Sequence, residues 1–522
     1  MVLSPFLFLV SAAVVSGLLL CAAFPPWDQT WLAWVALWPV LLGVHGGLGK
    51  ETPAWRDRRL WLAGFALGLV FFAGTLWWIG LVTVSGTFCL VVYISLYPAA
   101  WLVWARHRWA DDFTSPGNLA AGAELASVWT VLEWVRGWLF TGFGWNDLGV
   151  ALHRNLPLMQ GARWGGVLLL SWLVVFVNVV GVRTAIRFGR EARGRQPVRA
   201  HWDFGVAMLM VALFFAAGMH QLLRPRAGER RTLRFAAVQP AIPQSEEHPF
   251  PPEQALRRQL DLTEQASLLK PELVLWPEAP VGVSVRLHPD YRWAFDGLTS
   301  WMPFGLLVGS LDFDDGRLFN AAMLFSPGQD RGAAPQVYWK NHLIPFGEYA
   351  PFADRFPFMR KLVPFDLDFS PGTAPSVVTL ARADGSPVVL APLICFEDSL
   401  PDDARQAVRR RPEVDVLVNL TNDGWFRSSP GAAMHFANAI FRTVELDRPL
   451  LRCGNTGVTA AVEQTGRIAS VFEGKGTGIL AGELEWTPAE TTPYVRYGNW
   501  IVGVSLGLIG LRLWRERTRR TP

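Results

Sequence analysis

The chain has 522 residues, of which 51% are hydrophobic and only 18% charged, with 26 tryptophans. It is too apolar for an ordinary soluble enzyme and long enough for more than one domain, so a membrane protein is the starting expectation. The formal net charge of +4 is carried mostly by short loops and a terminal tail, which gives no support to nucleic-acid binding.

Apolar segments crowd the first 222 residues, a mixed stretch follows to about residue 496, and one last apolar segment closes the chain. Eight segments approach the roughly 20 apolar residues that cross a bilayer core. They are residues 5–24, 31–47, 60–80, 88–104, 119–139, 164–182, 204–222 and 497–513. The first is read as a retained span. It lacks a basic leader, and Cys21 follows Leu18, Leu19 and Leu20 where a processing site prefers small residues. Basic residues accumulate at Lys50, Arg56, Arg58 and Arg59, at Arg106 and Arg108, between Arg183 and Arg199, and from Arg512 to Arg520, whereas the opposite short loops hold Arg154 and Arg163. This asymmetry predicts both termini in the cytoplasm and residues 223–496 outside it. The cluster Arg224, Arg226, Arg230, Arg231 and Arg234 falls on the other side, as a solvated linker or a contact to lipid head groups. Inside the fifth segment, Glu133 and Arg136 share a helix face at i, i+3 and are expected to pair or to line a lipid entrance.

Beyond residue 222 the pattern changes to short apolar runs alternating with amphipathic helices, which predicts an α/β domain. A strand at 233–239 and a helix at 252–269 precede L-V-L-W-P-E-A-P (273–280), a strand ending on Glu278. Strands near 305–311 and 321–325 follow, then Y-W-K-N-H-L-I-P-F-G-E-Y-A-P (338–351), which places Lys340 and Glu348 around one loop. V-V-L-A-P-L-I-C-F-E-D-S-L (388–400) is a buried-strand pattern with Cys395 at its exit, and another strand covers 414–419. A thiol at neutral pH is a poor nucleophile without a base and a positive charge beside it, and Glu278 and Lys340 are candidates for those roles. Taken singly, a buried cysteine is ordinarily a small core residue, and a Glu or Lys at a strand exit is ordinarily surface. The chain has no metal-ligand spacing of Cys and His, no Gly-rich phosphate loop and no G-x-S-x-G turn, so no metal or cofactor is expected. Of four cysteines, Cys21 and Cys89 fall in apolar spans; a Cys395–Cys453 disulfide would consume the nucleophile and is not expected.

W-P-E, K-x-x-L-x-P-F-G-E-Y and I-C-F-E, in that order and each at a strand exit, resemble the nitrilase or carbon-nitrogen hydrolase superfamily. Their flanks resemble one branch, the apolipoprotein N-acyltransferase family: Asn422-Asp423-Gly424-Trp425-Phe426, then His435, Arg442 to Glu445, Arg448 to Arg452 and Asn455 to Gly457. The stretch Glu133 to Asn146 is similar to that family's E-W-x-R-G-W-x-x-T-G-F-P-W segment, with Gly144 where proline is usual. The resemblance implies an α-β-β-α sandwich attached to a polytopic helical membrane domain, divided as 1–222, 223–496 and 497–522. It further implies catalytic Glu278, Lys340 and Cys395, support from Glu348 and the Phe396 backbone N–H, and substrate contacts from Glu397, Trp425, Phe250 and Arg136. Phe250 lies where the family commonly has a Lys-Trp pair and this chain has His248-Pro249-Phe250.

The implied reaction moves an acyl chain from a membrane phospholipid, through a Cys395 thioester, to the α-amino group of a diacylglyceryl-cysteine at the start of a bacterial apolipoprotein. The implied setting is the bacterial inner membrane, with the catalytic domain periplasmic, the bilayer and these two substrates as partners, no nucleic acid, and a monomer. One rival is a membrane-anchored amidase or nitrilase using water as acceptor. Another is a transporter or receptor with an external binding domain, against which stands the want of internal repeats.

Overall fold

Ser4 and Thr114 open two of the apolar stretches as N-caps, accepting hydrogen bonds from the Leu7 and Gly117 amides at 3.3 and 3.2 Å, each with a proline in the first helical turn. The structure, a computed structural model, describes residues 4–520 except 48–52, 110–112, 195–197, 245–249, 280–282, 302, 328–332, 363–367, 375 and 475. It divides into two units, Met1–Arg224 with Tyr497–Pro522, and Pro225–Arg496.

The first unit is helical: α1 (Pro5–Ala23), α2 (Trp38–Gly47), α3 (Pro53–Leu76), α4 (Val84–Trp109), α5 (Ser115–Arg136), the short α6 (Leu156–Met159), α7 (Ala162–Ala192) and α8 (Trp202–Leu223). Among the described residues, five helices are long and apolar enough to cross a membrane: Pro5–Ala23, Arg56–Leu81, Val84–Arg106, Ala162–Ala192 and Trp202–Leu223. The segment expected at 31–47 is instead a 3-10 turn, Thr30–Trp34, followed by the ten-residue α2. The Asn178 side chain holds that break, donating to the Ala33 carbonyl at 2.8 Å and accepting from the Leu37 amide at 3.1 Å. In an apolar setting, interrupted backbone needs partners of this kind.

At the end of α5, Glu133 and Arg136 do not pair with each other. Arg136 donates to Asp147 at 2.7 Å with its guanidinium over the Phe72 ring, while Glu133 accepts from the Trp129 indole at 2.7 Å and the Leu148 amide at 2.8 Å. The reversal after the helix brings residues 147 and 148 back to it. It passes through Gly142 at φ +87°, where a Cβ would lie 2.2 Å from the Gly137 carbonyl oxygen.

The second unit runs β1 (Arg231–Gln239), α9 (Pro252–Ser267), β2 (Leu273–Leu275), α10 (Pro289–Trp301), β3 (Gly305–Asp314), β4 (Arg317–Phe325), β5 (Gln336–Trp339), β6 (Val378–Ala381), β7 (Pro387–Ile394), α11 (Pro401–Arg410), β8 (Val416–Thr421), α12 (Gly431–Leu446), β9 (Leu450–Gly454), β10 (Gly457–Val462), β11 (Ile468–Gly474), β12 (Gly478–Trp486) and α13 (Pro493–Tyr497). The closing helix, α14 (Trp500–Arg520), belongs with the first unit and carries Arg512, Arg515, Glu516 and Arg517.

Two six-stranded sheets form, ordered β12-β1-β2-β3-β4-β5 and β11-β10-β9-β8-β7-β6. Each has a parallel centre, β1-β2-β3 and β7-β8-β9, flanked by antiparallel strands. Strand alternation builds the layers. Leu233, Phe235 and Ala237 of β1 pack with Leu275, Leu390, Val418 and Leu451 in a core shared by both sheets. Ala236 and Val238 face the other way, against Leu256 and Leu262 of α9 and Phe295 of α10. The α-β-β-α sandwich expected of the large domain is therefore the observed fold.

Candidate active site

Each of the three groups expected to be catalytic sits just beyond a strand. Glu278 follows β2, Lys340 follows β5 and Cys395 follows β7. Parallel strands point their carboxyl ends to one edge of a sheet, where loops can converge on a ligand. The backbone at Cys395 is left-handed, φ +51°, and opens a 3-10 turn, Cys395–Ser399. A non-glycine residue in that region is held there by its surroundings, and such positions gather at functional sites.

Lys340 is fully buried, with its ammonium 2.9 Å from Glu348 Oε1 and 3.7 Å from Glu278 Oε1. The Cys395 side chain also acts on Glu278, favouring its charged form. Glu278 Oε1 accepts from Asn320 Nδ2 at 2.8 Å and its Oε2 from the Asn422 amide at 3.0 Å. Glu348 accepts from the same Asn320 nitrogen at 3.0 Å and from the Ile344 amide at 2.8 Å. Asn320, on β4, therefore bridges the two carboxylates that flank the lysine. A Cβ on Gly309 of β3 would lie 2.5 Å from the Glu278 Cα, so a residue without a side chain is what lets that strand run so close beneath Glu278.

Burial raises the Glu278 pKa above the usual carboxylate range, with Lys340 opposing and Glu348 adding to the rise. Burial works against charge on Lys340, but Glu348, Glu278 and the cysteine outweigh it and hold the ammonium above its ordinary range. Burial, then Glu278, push the Cys395 thiol well above its usual value, against the pull of Lys340. Both groups of the pair are thus shifted towards their protonated forms. A carboxylate of raised basicity beside a thiol can take its proton as the sulfur attacks, the arrangement that general-base activation of a nucleophile requires.

Glu397, expected against substrate, is instead fully buried under the cysteine turn. Its oxygens accept from the amides of Ile394, Asn341 and His342 at 2.7, 2.7 and 3.1 Å and from the Tyr338 hydroxyl at 2.8 Å. It ties the Lys340 loop to the Cys395 turn. Trp425 is half-buried on the 3-10 turn Asp423–Phe426 after β8. Phe250 lies 4.9 Å beneath the Arg258 guanidinium of α9, and its neighbours His248 and Pro249 fall outside the described residues. Arg136 belongs to the helical unit and is bound to Asp147. Cys395 and Cys453 are both free thiols. Among the described residues, no group of three His, Cys, Asp or Glu side chains is placed to hold a metal ion.

The chemistry-first reading of the sequence missed Asn320, although a lone polar residue inside R-L-F-N-A-A-M-L-F is a signal it could have used. It also gave no role to His435, Asp398, Asp423 and Arg452, which form a buried network directly behind Cys395.

Residues 16–180 match the apolipoprotein N-acyltransferase N-terminal domain family, and residues 234–494 match the carbon-nitrogen hydrolase family. The apolipoprotein N-acyltransferase of Geobacter metallireducens is 32% identical, over 97% of this chain and 95% of its own length. That of Rhizobium rhizogenes is 30% identical, over 90% and 89%, and that of Vibrio vulnificus 28%, over 97% of both chains. Among solved structures, a mutant of the nitrilase-superfamily amidase of Nesterenkonia AN1 covers 52% of this chain and 95% of its own at 18% identity, with a TM-score of 0.37.

Proposed function

The chain belongs to the apolipoprotein N-acyltransferase family, and from that premise we infer that it acylates the N-terminal amine of bacterial apolipoproteins with a chain taken from a membrane phospholipid. The observation that carries the chemistry is Cys395, held in a left-handed turn and electrostatically coupled to Glu278, with Lys340 3.7 Å from the same carboxylate.

In the first half-reaction the Glu278 carboxylate takes the thiol proton and Cys395 Sγ attacks the ester carbonyl of the phospholipid. Lys340 and the Phe396 amide stabilise the oxyanion. The intermediate collapses, the C–O bond breaks, and Glu278 returns its proton to the departing lysophospholipid oxygen. A thioester remains on Cys395. In the second half-reaction the free α-amine of the diacylglyceryl-cysteine attacks the thioester, Glu278 accepts a proton from the nitrogen, and the thiolate leaves and is reprotonated. Glu348 and Asn320 position Lys340 and Glu278 and take no proton themselves.

An inner-membrane protein fits the apolar helices and the relatives. The arginine distribution supports placing both termini in the cytoplasm and the 225–496 unit in the periplasm. A fluorescent protein fused after the C-terminus should then mature in cells; failure to fluoresce at normal expression would reverse the orientation.

The central test is the intact mass of detergent-purified protein incubated with phospholipid alone. Wild type should gain one fatty acyl group, released by hydroxylamine, and Cys395→Ala should gain none. Folded wild type that leaves phospholipid untouched and carries no adduct would reject the phospholipid donor and favour a membrane-anchored amidase.

A further inference from the structure

Behind the nucleophile lies a set of charged groups that the mechanism leaves unused. His435 comes from α12, Asp398 from the turn after β7, Asp423 from the turn after β8 and Arg452 from β9, and all four are buried. His435 Nε2 is 2.8 Å from Asp398 Oδ1 and Nδ1 is 2.9 Å from Asp423 Oδ1. Arg452 reaches Asp398 Oδ2 at 2.5 Å and Asp423 Oδ2 at 2.9 Å, and also donates to Asn419 Oδ1 at 2.7 Å. The Thr421 hydroxyl donates to Asp423 at 3.2 Å, and the Phe426 ring closes one side of the imidazole.

This network meets the nucleophile through its backbone. The Cys395 carbonyl oxygen lies 3.2 Å from His435 Nε2 and accepts from Asn419 Nδ2 at 3.1 Å. Those contacts hold the peptide that follows a residue at φ +51°. Its charge also reaches the sulfur, since Asp423 disfavours the Cys395 thiolate while Arg452 is drawn to it.

The protonation of His435 decides the balance. A neutral imidazole has one N–H and one bare nitrogen, yet here each nitrogen faces a carboxylate oxygen within 3 Å. Arg452 NH2, 3.0 Å from Nδ1, is the competing sign, because it could donate to a bare nitrogen. The carboxylate is at least as close and would then oppose the nitrogen lone pair, and Arg452 NH2 already has Asp423 Oδ2 as an acceptor. Burial and the charge of Arg452 disfavour the imidazolium, but Asp398 and Asp423 outweigh them and lift the His435 pKa to about 9. With His435 charged, two cations meet two anions and the cluster is neutral. With it neutral, one negative charge would stand uncompensated behind the sulfur.

We propose that His435 is a positioning residue for Cys395: as an imidazolium between Asp398 and Asp423 it completes a charge-balanced buried network that fixes the cysteine turn and keeps thiolate formation from being opposed by bare carboxylates. The proposal rests on Cys395 being the nucleophile, but its test needs no substrate.

The measurement is the rate of Cys395 alkylation by iodoacetamide as a function of pH in the full-length protein, followed by site-resolved peptide mass. His435→Gln keeps an amide donor and removes the charge. Its profile should move to higher pH, with alkylation below the midpoint slowed roughly tenfold, the scale of one uncompensated buried charge. His435→Gln with Asp398→Asn restores neutrality through Arg452 and Asp423, and should return the profile to that of wild type. Asp398→Asn alone leaves a positive excess while His435 stays protonated through Asp423, and should alkylate faster than wild type at the acid end of the profile.

An unshifted profile in folded His435→Gln overturns the proposal, as does a double variant no nearer to wild type than the single. If His435→Gln does not fold, Asp398→Asn decides, and an unchanged rate at the acid end of its profile, where His435 is still protonated, overturns it. Loss of the acyl adduct in wild type with these shifts intact would instead count against the acyltransfer reading alone.

Discussion

Cys395 and Cys453 are two buried free thiols on either side of β8, whose Leu420 pairs in register with Ile394 on one side and Cys453 on the other. Cys453 sits inside a regular strand, its sulfur directed at the Val238 and Leu275 carbonyl oxygens at 3.4 Å, and burial pushes its pKa far up. Cys395 sits one residue past its strand, in a left-handed turn, with Glu278, Lys340 and a charged network around it. Burial alone makes a thiol inert. What separates the two sites is a neighbouring carboxylate able to take a proton, a buried ammonium beside it, and a backbone turned out of the ladder.

Removing either side of that contrast should have very different effects. Cys395→Ala should abolish the acyl-enzyme and lower transfer by at least about 10³-fold, checked by lipopeptide acylation and intact mass. Close to it, Glu278→Gln and Lys340→Met should each lose about 10²–10⁴-fold in acylation rate. Lys340→Met should also destabilise the α/β unit by about 3–5 kcal/mol, since it leaves Glu278 and Glu348 buried without their cation; a melting temperature equal to wild type would contradict the burial argument. Asn320→Ala frees both carboxylates from their shared donor and should slow acylation by roughly 100-fold at most, an effect of misplacement.

Two gentler probes sharpen the comparison through pH. With Glu278 raised by burial, the acylation rate should fall as pH drops through that raised value and the base is protonated. His435 is raised from 6.5 to about 9 in the folded chain, so its stabilisation is complete below its unfolded value and is lost as pH climbs through about 9. The stability gap between wild type and His435→Gln should therefore be widest near pH 6 and shrink above pH 9 by roughly 3 kcal/mol. Smallest of all, Cys453→Ala should cost about 1 kcal/mol and leave transfer within about twofold; a large loss of activity would erase the distinction between the two cysteines.

The sequence alone determined a good deal. Hydrophobic length marked the apolar helices, and short apolar runs ending on Glu278 and Cys395 marked two of the strands whose exits carry the candidate site. These are local properties, set by how each short segment meets apolar surroundings. Other features were illegible because they depend on which distant segments meet. The 31–47 stretch reads as one apolar span, but a side chain from α7 satisfies a break within it. Glu133 and Arg136 read as partners at helical spacing, but the returning chain offers better ones in Leu148 and Asp147. Glu397 reads as a pocket residue, but four donors, from β5, the loop after it and the end of β7, enclose it. Only the tertiary structure decided that Asn320 would join two carboxylates and that His435, Asp398, Asp423 and Arg452, from four elements, would meet behind one cysteine. Buried charges persist only where every partner arrives together, and the order of strands in two facing sheets brings them there.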